Sequence, residues 1–350
     1  MAGLLLSSSS PAPQGFSVNR KLKADIAAKF CVAEEFIEAY FARQSISDVE
    51  RSESWEAFSG GLNASQLLYI DFAMSCVLRA RSVADLISEV APRLGVGAAY
   101  LDVGCGYGGF VREFAARGFF ATGVELQEHL AAFSKANCVD LVNARIIQGN
   151  FLEMDAALLG SFDVITCNDV IEHVSDPAMV MSSMARMLRP GGVLFIEIPN
   201  RDCIEAVIQD GHFQIFGLTN LERSAASRFA SQMKGIHDYL QEMGELYQME
   251  FYLSELQKSG LDVQVLERHK VGGMESMSAL LARLSYAFQV WDEVNSHLCD
   301  AHMRNLMRQR HAQYQADLWR DLAGAYVGSN VREFSLKYLN TFWSVVAKKS

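Results

Sequence analysis

Between Ala98 and Asn200 five short apolar runs alternate with helical patterns or loops: "AAYLDVGCG", "FATGVEL", "NARIIQGN", "FDVITCND" and "GGVLFIEIPN". Near-continuous apolar runs of this length are strands buried on both faces, and strands alternating with helices build a parallel sheet covered on either side. "MARMLRPGG", ahead of the fifth run, carries an Arg, a Pro and a Gly pair, the chemistry that stops a helix. This stretch therefore predicts an α/β core.

The flanks read differently. From Lys21 to Arg43 apolar residues recur at Leu22, Ile26, Phe30, Ala33, Ile37 and Tyr40, the spacing of one helix face. A Ser-x-x-Glu helix start falls at Ser47 to Glu50, "SGGLNAS" breaks the chain, and more helix runs from about Gln66 to Val90. Beyond Asn200 the chain is helical and aromatic-rich as far as Gly260. "LDVQVLERH" follows as a sixth strand, then helix from Met274 to Tyr326, as one long rod or a tight pair, and "NTFWSVVAKK" as a last strand. The expectation is a seven-stranded, mostly parallel, doubly wound sheet with a helical N-terminal extension and helical insertions. Its segments are a flexible leader (1–19), a helical region (20–94), the core (95–200), a helical acceptor-pocket insertion (201–260) and the completion of the sheet (261–350, with the helical insertion 274–326).

Composition bounds the function. Half of the 350 residues are hydrophobic and the formal net charge is −10, which suits a packed core and argues against a general nucleic-acid binder. Seven scattered cysteines with no Cys-x-x-Cys suggest buried thiols in a reduced, cytoplasmic compartment. No apolar stretch approaches the length that spans a membrane.

The first apolar run ends in Gly104, Gly106, Gly108 and Gly109 and leads into the helical "FVREFAARG". Glycine lets a ligand touch bare backbone, and the free amides of the next helix favour an anionic group. Asp102 is placed to accept from a ligand ammonium. Glu125, closing the second run, can accept both hydroxyls of a ribose. A Gly-x-Gly turn alone also fits a dinucleotide oxidoreductase.

Taken together, "LDVGCGYGG", "GVEL", "QGNFLEM", "FDVITCNDVIEHVSDP" and "LRPGGVLFIEIPN" resemble, in order and spacing, class I S-adenosylmethionine-dependent methyltransferases. The resemblance implies the Rossmann-like methyltransferase fold and S-adenosyl-L-methionine as cofactor. It implies that Asp102, Gly104, Cys105 and Gly106 hold the methionine moiety, Glu125 and Leu126 the ribose end, Asn150 and Phe151 the adenine, and Asn168 the reacting methyl. "NDVIEHVSDP" is similar to the ubiquinone-biosynthesis O-methyltransferase type, in which an acid-x-x-Glu-His string is associated with a divalent cation. Here Asp169, Glu172 and His173 hold those positions, the first acid one methylene shorter, and no metal is expected. "GHFQIFGLTNLERSAASRF" loosely resembles bacterial methyltransferases of glycan-assembly clusters.

Oxygen methylation needs the hydroxyl proton removed, by a base or a metal. His173, His212 and His237 are the candidate bases, the latter two in the insertion where such enzymes build an acceptor pocket. Phe213, Phe216, Tyr239, Tyr247 and Tyr252 are candidate lining, and Tyr107 a contact to cofactor or acceptor. The function expected is O-methylation of a small-molecule or sugar hydroxyl. Phenolic or quinone-like acceptors, and N- or C-methylation, are alternatives, as are a non-catalytic cofactor-binding scaffold and the oxidoreductase. The helical insertions offer a homodimer seam.

Overall fold

A computed structural model describes residues 16–350 except 45, 47, 48, 155–159 and 329. The leader up to residue 15 and the Ser47 helix start lie outside the described residues. Seven strands form one sheet: β1 (Ala99–Val103), β2 (Phe120–Glu125), β3 (Ala144–Gln148), β4 (Phe162–Asn168), β5 (Leu188–Pro199), β6 (Leu261–Leu266) and β7 (Phe342–Lys349), in the order β3-β2-β1-β4-β5-β7-β6. β1 pairs parallel with β2 and β4, and β2 with β3. The register sets Asp102 opposite Gly123 on one side and Thr166 on the other. Val164, Ile165, Leu194, Phe195 and Ile196 are withdrawn from water, as strands covered on both faces require. β5 begins at Leu188, directly after the helix Pro177–Met187, so "LRPGG" belongs to the strand and the helix stops before it.

The chain divides into two compact units, with the division falling inside β4, the helix Pro177–Met187, β5 and β7. The first comprises residues 1–167, 183–194 and 348–350. Its N-terminal part is helical: the expected Lys21–Arg43 face is two helices, Arg20–Phe30 and Glu34–Gln44, because Cys31 takes a left-handed φ of 60°. All six residues of that face are buried nonetheless. Helices Ala64–Met74 and Cys76–Val90 follow, the former opened by a capping box between Asn63 and Gln66. Phe36, Tyr40, Phe41, Trp55, Phe58 and Phe133 form the aromatic heart of this region.

The second unit comprises residues 168–182 and 195–347. It holds helices Ile204–Ile208, Arg223–Lys234, Tyr239–Glu242, Met249–Lys258, Met277–Val290, Ala301–Tyr326 and Val331–Tyr338. Of the rod and the pair, the pair forms: a π-helical turn at Trp291–Asn295 and a break at Cys299 separate the two long helices, and Asp300 caps the second through Met303 N–H. Among the described residues, no helix is long and apolar enough to cross a membrane.

Candidate active site

In the first unit β1 runs into the glycine turn. Gly104 and Cys105 donate their N–H groups to the Val124 carbonyl at 2.8 and 3.0 Å, holding the turn against the end of β2. The four glycines serve two purposes. Gly106, at φ 50°, faces open space where a Cβ would stand, so its backbone is bare to a ligand. Gly109 instead permits close packing, since a Cβ there would come within 2.4 Å of the Cys76 carbonyl carbon.

Asp102 is 2% exposed and accepts from the Thr166 hydroxyl at 2.6 Å, while Tyr100 Oη shares that hydroxyl. Burial pushes its carboxyl up to about 7, against the lowering by Thr166. Glu125 is buried, and each of its oxygens takes a backbone amide at 2.9 Å, Oε2 from Gly106 and Oε1 from Gln127. Those bonds fix the carboxylate beside the turn. Leu126, next in line, is 62% exposed. Asn150 caps its own short turn, accepting from Leu152 N–H and donating to Glu153, with Phe151 half-buried beside it. Cys105 directs its thiol inward to Ser134 Oγ, 3.4 Å away, which leaves only main chain for a ligand. Tyr107 packs its ring among Phe36, Tyr40, Phe72 and Phe133; it is a packing residue of the N-terminal helices.

The second unit opens with Asn168, whose Oδ1 and Nδ2 are both buried without a hydrogen-bond partner among the described residues. An amide in that state is set up for a polar ligand or water. Glu172 is 1% exposed; burial, then the charge of Asp169, raises its carboxyl to about 8. His173 places Nδ1 2.6 Å from the Glu242 carbonyl and Nε2 3.8 Å from Glu172 Oε1. A carbonyl only accepts, so Nδ1 carries the proton and Nε2 keeps its lone pair. The segment supplying that carbonyl lies close, for Gly244 donates to the Glu172 carbonyl and a Cβ there would come within 2.4 Å of the Val174 oxygen.

His212 reaches the same place from a distant loop. Asp210 organises that loop by accepting from the backbone amides of His212, Phe213 and Ile215. Its ring meets that of His173 edge-on at 5.1 Å. Desolvation lowers the pKa of both imidazoles, that of His212 well below the usual range. Each of Glu172, His173 and His212 offers a ligand atom within 4.8 Å of the others. That set, found among the described residues, joins Glu172 and His173 of the Asp-x-x-Glu-His string to His212 and does not include Asp169. His237 stands apart, exposed and bonded to Ser231 Oγ at 3.1 Å.

Of the expected aromatic lining, Phe213, Phe216 and Tyr239 share one apolar cluster, and Tyr247 and Tyr252 lie outside it. Phe213 meets Tyr239; Tyr247 stacks on Phe251 with Tyr252 beside them; Phe216 belongs with Phe288, Trp291 and His311. On the helix Ala301–Tyr326, Arg308 pairs with Asp292 and Arg310 with Glu222. Sequence reasoning missed His311, the partnership of His212 with His173, and the Glu242 carbonyl. It also missed Ser134 and Asn137, whose spacing marks one helix face but not what that face touches.

A sheet in this order, with a glycine turn after β1 and an acid closing β2, defines a class I S-adenosylmethionine-dependent methyltransferase. Residues 78–265, more than half of the 350, match the family model of a methyltransferase domain, and the chain belongs to that family. The ubiquinone biosynthesis O-methyltransferase of Thiobacillus denitrificans is 37% identical over 110 residues, covering 29% of this chain and 44% of that protein. Its counterpart in Pseudomonas paraeruginosa is 36% identical over 120 residues, covering 33% and 51%. The chain spans about half the length of the curated relatives it matches. A magnesium protoporphyrin IX methyltransferase from Synechocystis PCC 6803, solved with S-adenosylhomocysteine bound, aligns at a TM-score of 0.42 and 14% identity over 61% of this chain and 85% of that one.

Proposed function

We propose that the protein methylates the hydroxyl of a small molecule, with His173 as the base that takes the hydroxyl proton. Asp102 and the main chain at Gly104, Cys105 and Gly106 hold the methionine portion of the cofactor, Glu125 and Leu126 its ribose end, and Asn150 and Phe151 border the adenine. The open side of Gly106, the buried Asp102 carboxyl and the fixed Glu125 carboxylate fit such a ligand. S-adenosylmethionine supplies an electrophilic methyl group; the residues of this chain orient the acceptor, exclude water and take up one proton.

The observation that carries this reading is the hydrogen bond from His173 Nδ1 to the Glu242 carbonyl, which leaves Nε2 as an acceptor beside His212 and Glu172. The lowered pKa keeps both imidazoles neutral at pH 7, and the raised one keeps Glu172 protonated. The cluster is uncharged, which suits a neutral hydroxyl. A weakly basic imidazole matches a phenol better than a far less acidic sugar hydroxyl, and the curated relatives are named as O-methyltransferases of ubiquinone biosynthesis.

His173→Ala should lower turnover by about 10²–10⁴-fold at unchanged affinity for S-adenosylhomocysteine, measured by calorimetry, whereas His237→Ala leaves turnover intact. Equal turnover in His173→Ala and the parent chain would remove the base. The same three side chains suit a divalent cation: a base mechanism keeps its rate in EDTA, and a cation-dependent one loses it. Phenolic and sugar acceptors assayed side by side decide the substrate class.

A further inference from the structure

One face of the helix Glu128–Asn137 and its C-cap grips three consecutive carbonyls of the glycine turn. Ser134 Oγ donates to the Gly106 carbonyl at 2.8 Å and Asn137 Nδ2 to the Tyr107 carbonyl at 2.9 Å. Cys138 Sγ lies 3.7 Å from the Gly108 carbonyl. Positions 134, 137 and 138 stand i, i+3 and i+4, so a single helix face presents all three groups. Ser134 and Asn137 are both fully buried, at 0% exposure. The peptide bonds of the turn are trans, so a carbonyl held toward the helix turns the following N–H the other way. The helix thus fixes the orientation of the backbone that the cofactor is read to rest on, without touching the cofactor.

Asn137 does a second thing. Its Oδ1 accepts the Ala33 N–H at 3.0 Å, in the link between the two N-terminal helices, and its Nδ2 also lies 3.6 Å from Cys76 Sγ. From the other side the turn sends the Tyr107 ring into the aromatic group of those helices, against Phe36 and Tyr40. One amide therefore ties the N-terminal helices and the glycine turn to the same point.

We propose that Ser134 and Asn137 are positioning residues for the cofactor turn, and that Asn137 couples cofactor affinity to the docking of the N-terminal helices. The inference rests on the S-adenosylmethionine reading of the turn. It is tested on the full chain with S-adenosylhomocysteine as probe. Asn137→Asp keeps an oxygen for Ala33 N–H but loses the donor to Tyr107; Ser134→Ala removes one hydroxyl and little volume.

Each variant should weaken S-adenosylhomocysteine by about tenfold, with the kinetic loss in KM for S-adenosylmethionine rather than in kcat. Hydrogen exchange adds a readout that a merely structural role does not move. In the parent chain the probe should slow exchange both in 104–109 and in 20–44; in Asn137→Asp it should slow the turn alone. Should Asn137→Asp fail to fold, Ser134→Ala decides on affinity. Unchanged affinity in a folded Ser134→Ala, or equal protection of 20–44 in Asn137→Asp, overturns the proposal. A parent chain that binds neither sulfur nucleoside overturns the reading beneath it instead.

Discussion

Asp102 is a carboxyl group almost wholly withdrawn from water, with the Thr166 hydroxyl beside it. Its raised pKa, about 7, means that near neutrality the folded chain holds a proton there that a free aspartate would have lost. A ligand ammonium beside it favours the ionised form, so binding releases that proton and strengthens as pH rises through the raised pKa. Affinity for S-adenosylhomocysteine should climb about tenfold from pH 6 to pH 8 and then level off. A flat profile, or one that falls, would take Asp102 out of contact with the amino group. Asp102→Asn should flatten it. That Asp102 and Glu125 stand beside the glycine turn was legible in the sequence, because each falls at the end of an apolar run that flanks it. His212 as the neighbour of His173 was not, because a pairing made by loops far apart in sequence leaves no local pattern. The glycine motif likewise gives no sign that the Cys105 thiol turns to Ser134 in the core.

At the scale of elements the strands were the most legible part, since a strand covered on both faces announces itself as an unbroken apolar run. What an apolar stripe or a glycine packs against was harder to read. Gly109 looks like part of a ligand cradle, yet it is where the helix Gly109–Ala116 touches the helix Cys76–Val90. Gly109→Ala would push a methyl group into the Cys76 backbone and should cost about 1–3 kcal/mol or more in denaturant unfolding. Unfolding at the parent midpoint would show that the helices part easily. The helical stretch Met274–Tyr326 conceals His311, 2% exposed, stacked at 4.0 Å on Phe288, with neither ring nitrogen partnered among the described residues. Burial lowers its pKa to about 4, so the folded state binds fewer protons there than the unfolded state. Stability is therefore lost as pH falls from about 6.5 toward 4. His311→Phe keeps the stack and removes two unpaired polar atoms. It should raise stability by about 1–3 kcal/mol and flatten that acid slope in thermal melts. A lower melting temperature would show that the imidazole is satisfied in place.

For the whole molecule, charge separates the acceptor classes that the site chemistry leaves in contention. The formal net charge is −10, so the chain as a whole repels anions. The cluster at Glu172, His173 and His212 adds no compensating positive charge near neutrality, since both imidazoles are held neutral. Arg308 and Arg310, on the helix Ala301–Tyr326, are paired with Asp292 and Glu222. A hydroxyl on a nucleotide-linked sugar would arrive against that field, whereas a neutral phenol would not feel it. Salt shortens the reach of surface charge to about 10 Å at 0.1 M and about 3 Å at 1 M. The KM for a neutral phenolic acceptor should therefore stay constant as sodium chloride rises through that range. An anionic acceptor should instead show a KM that falls as its repulsion is screened. If the best acceptor proves anionic and its KM rises with salt, an attractive basic surface guides it, and the neutral-hydroxyl reading of the site is wrong.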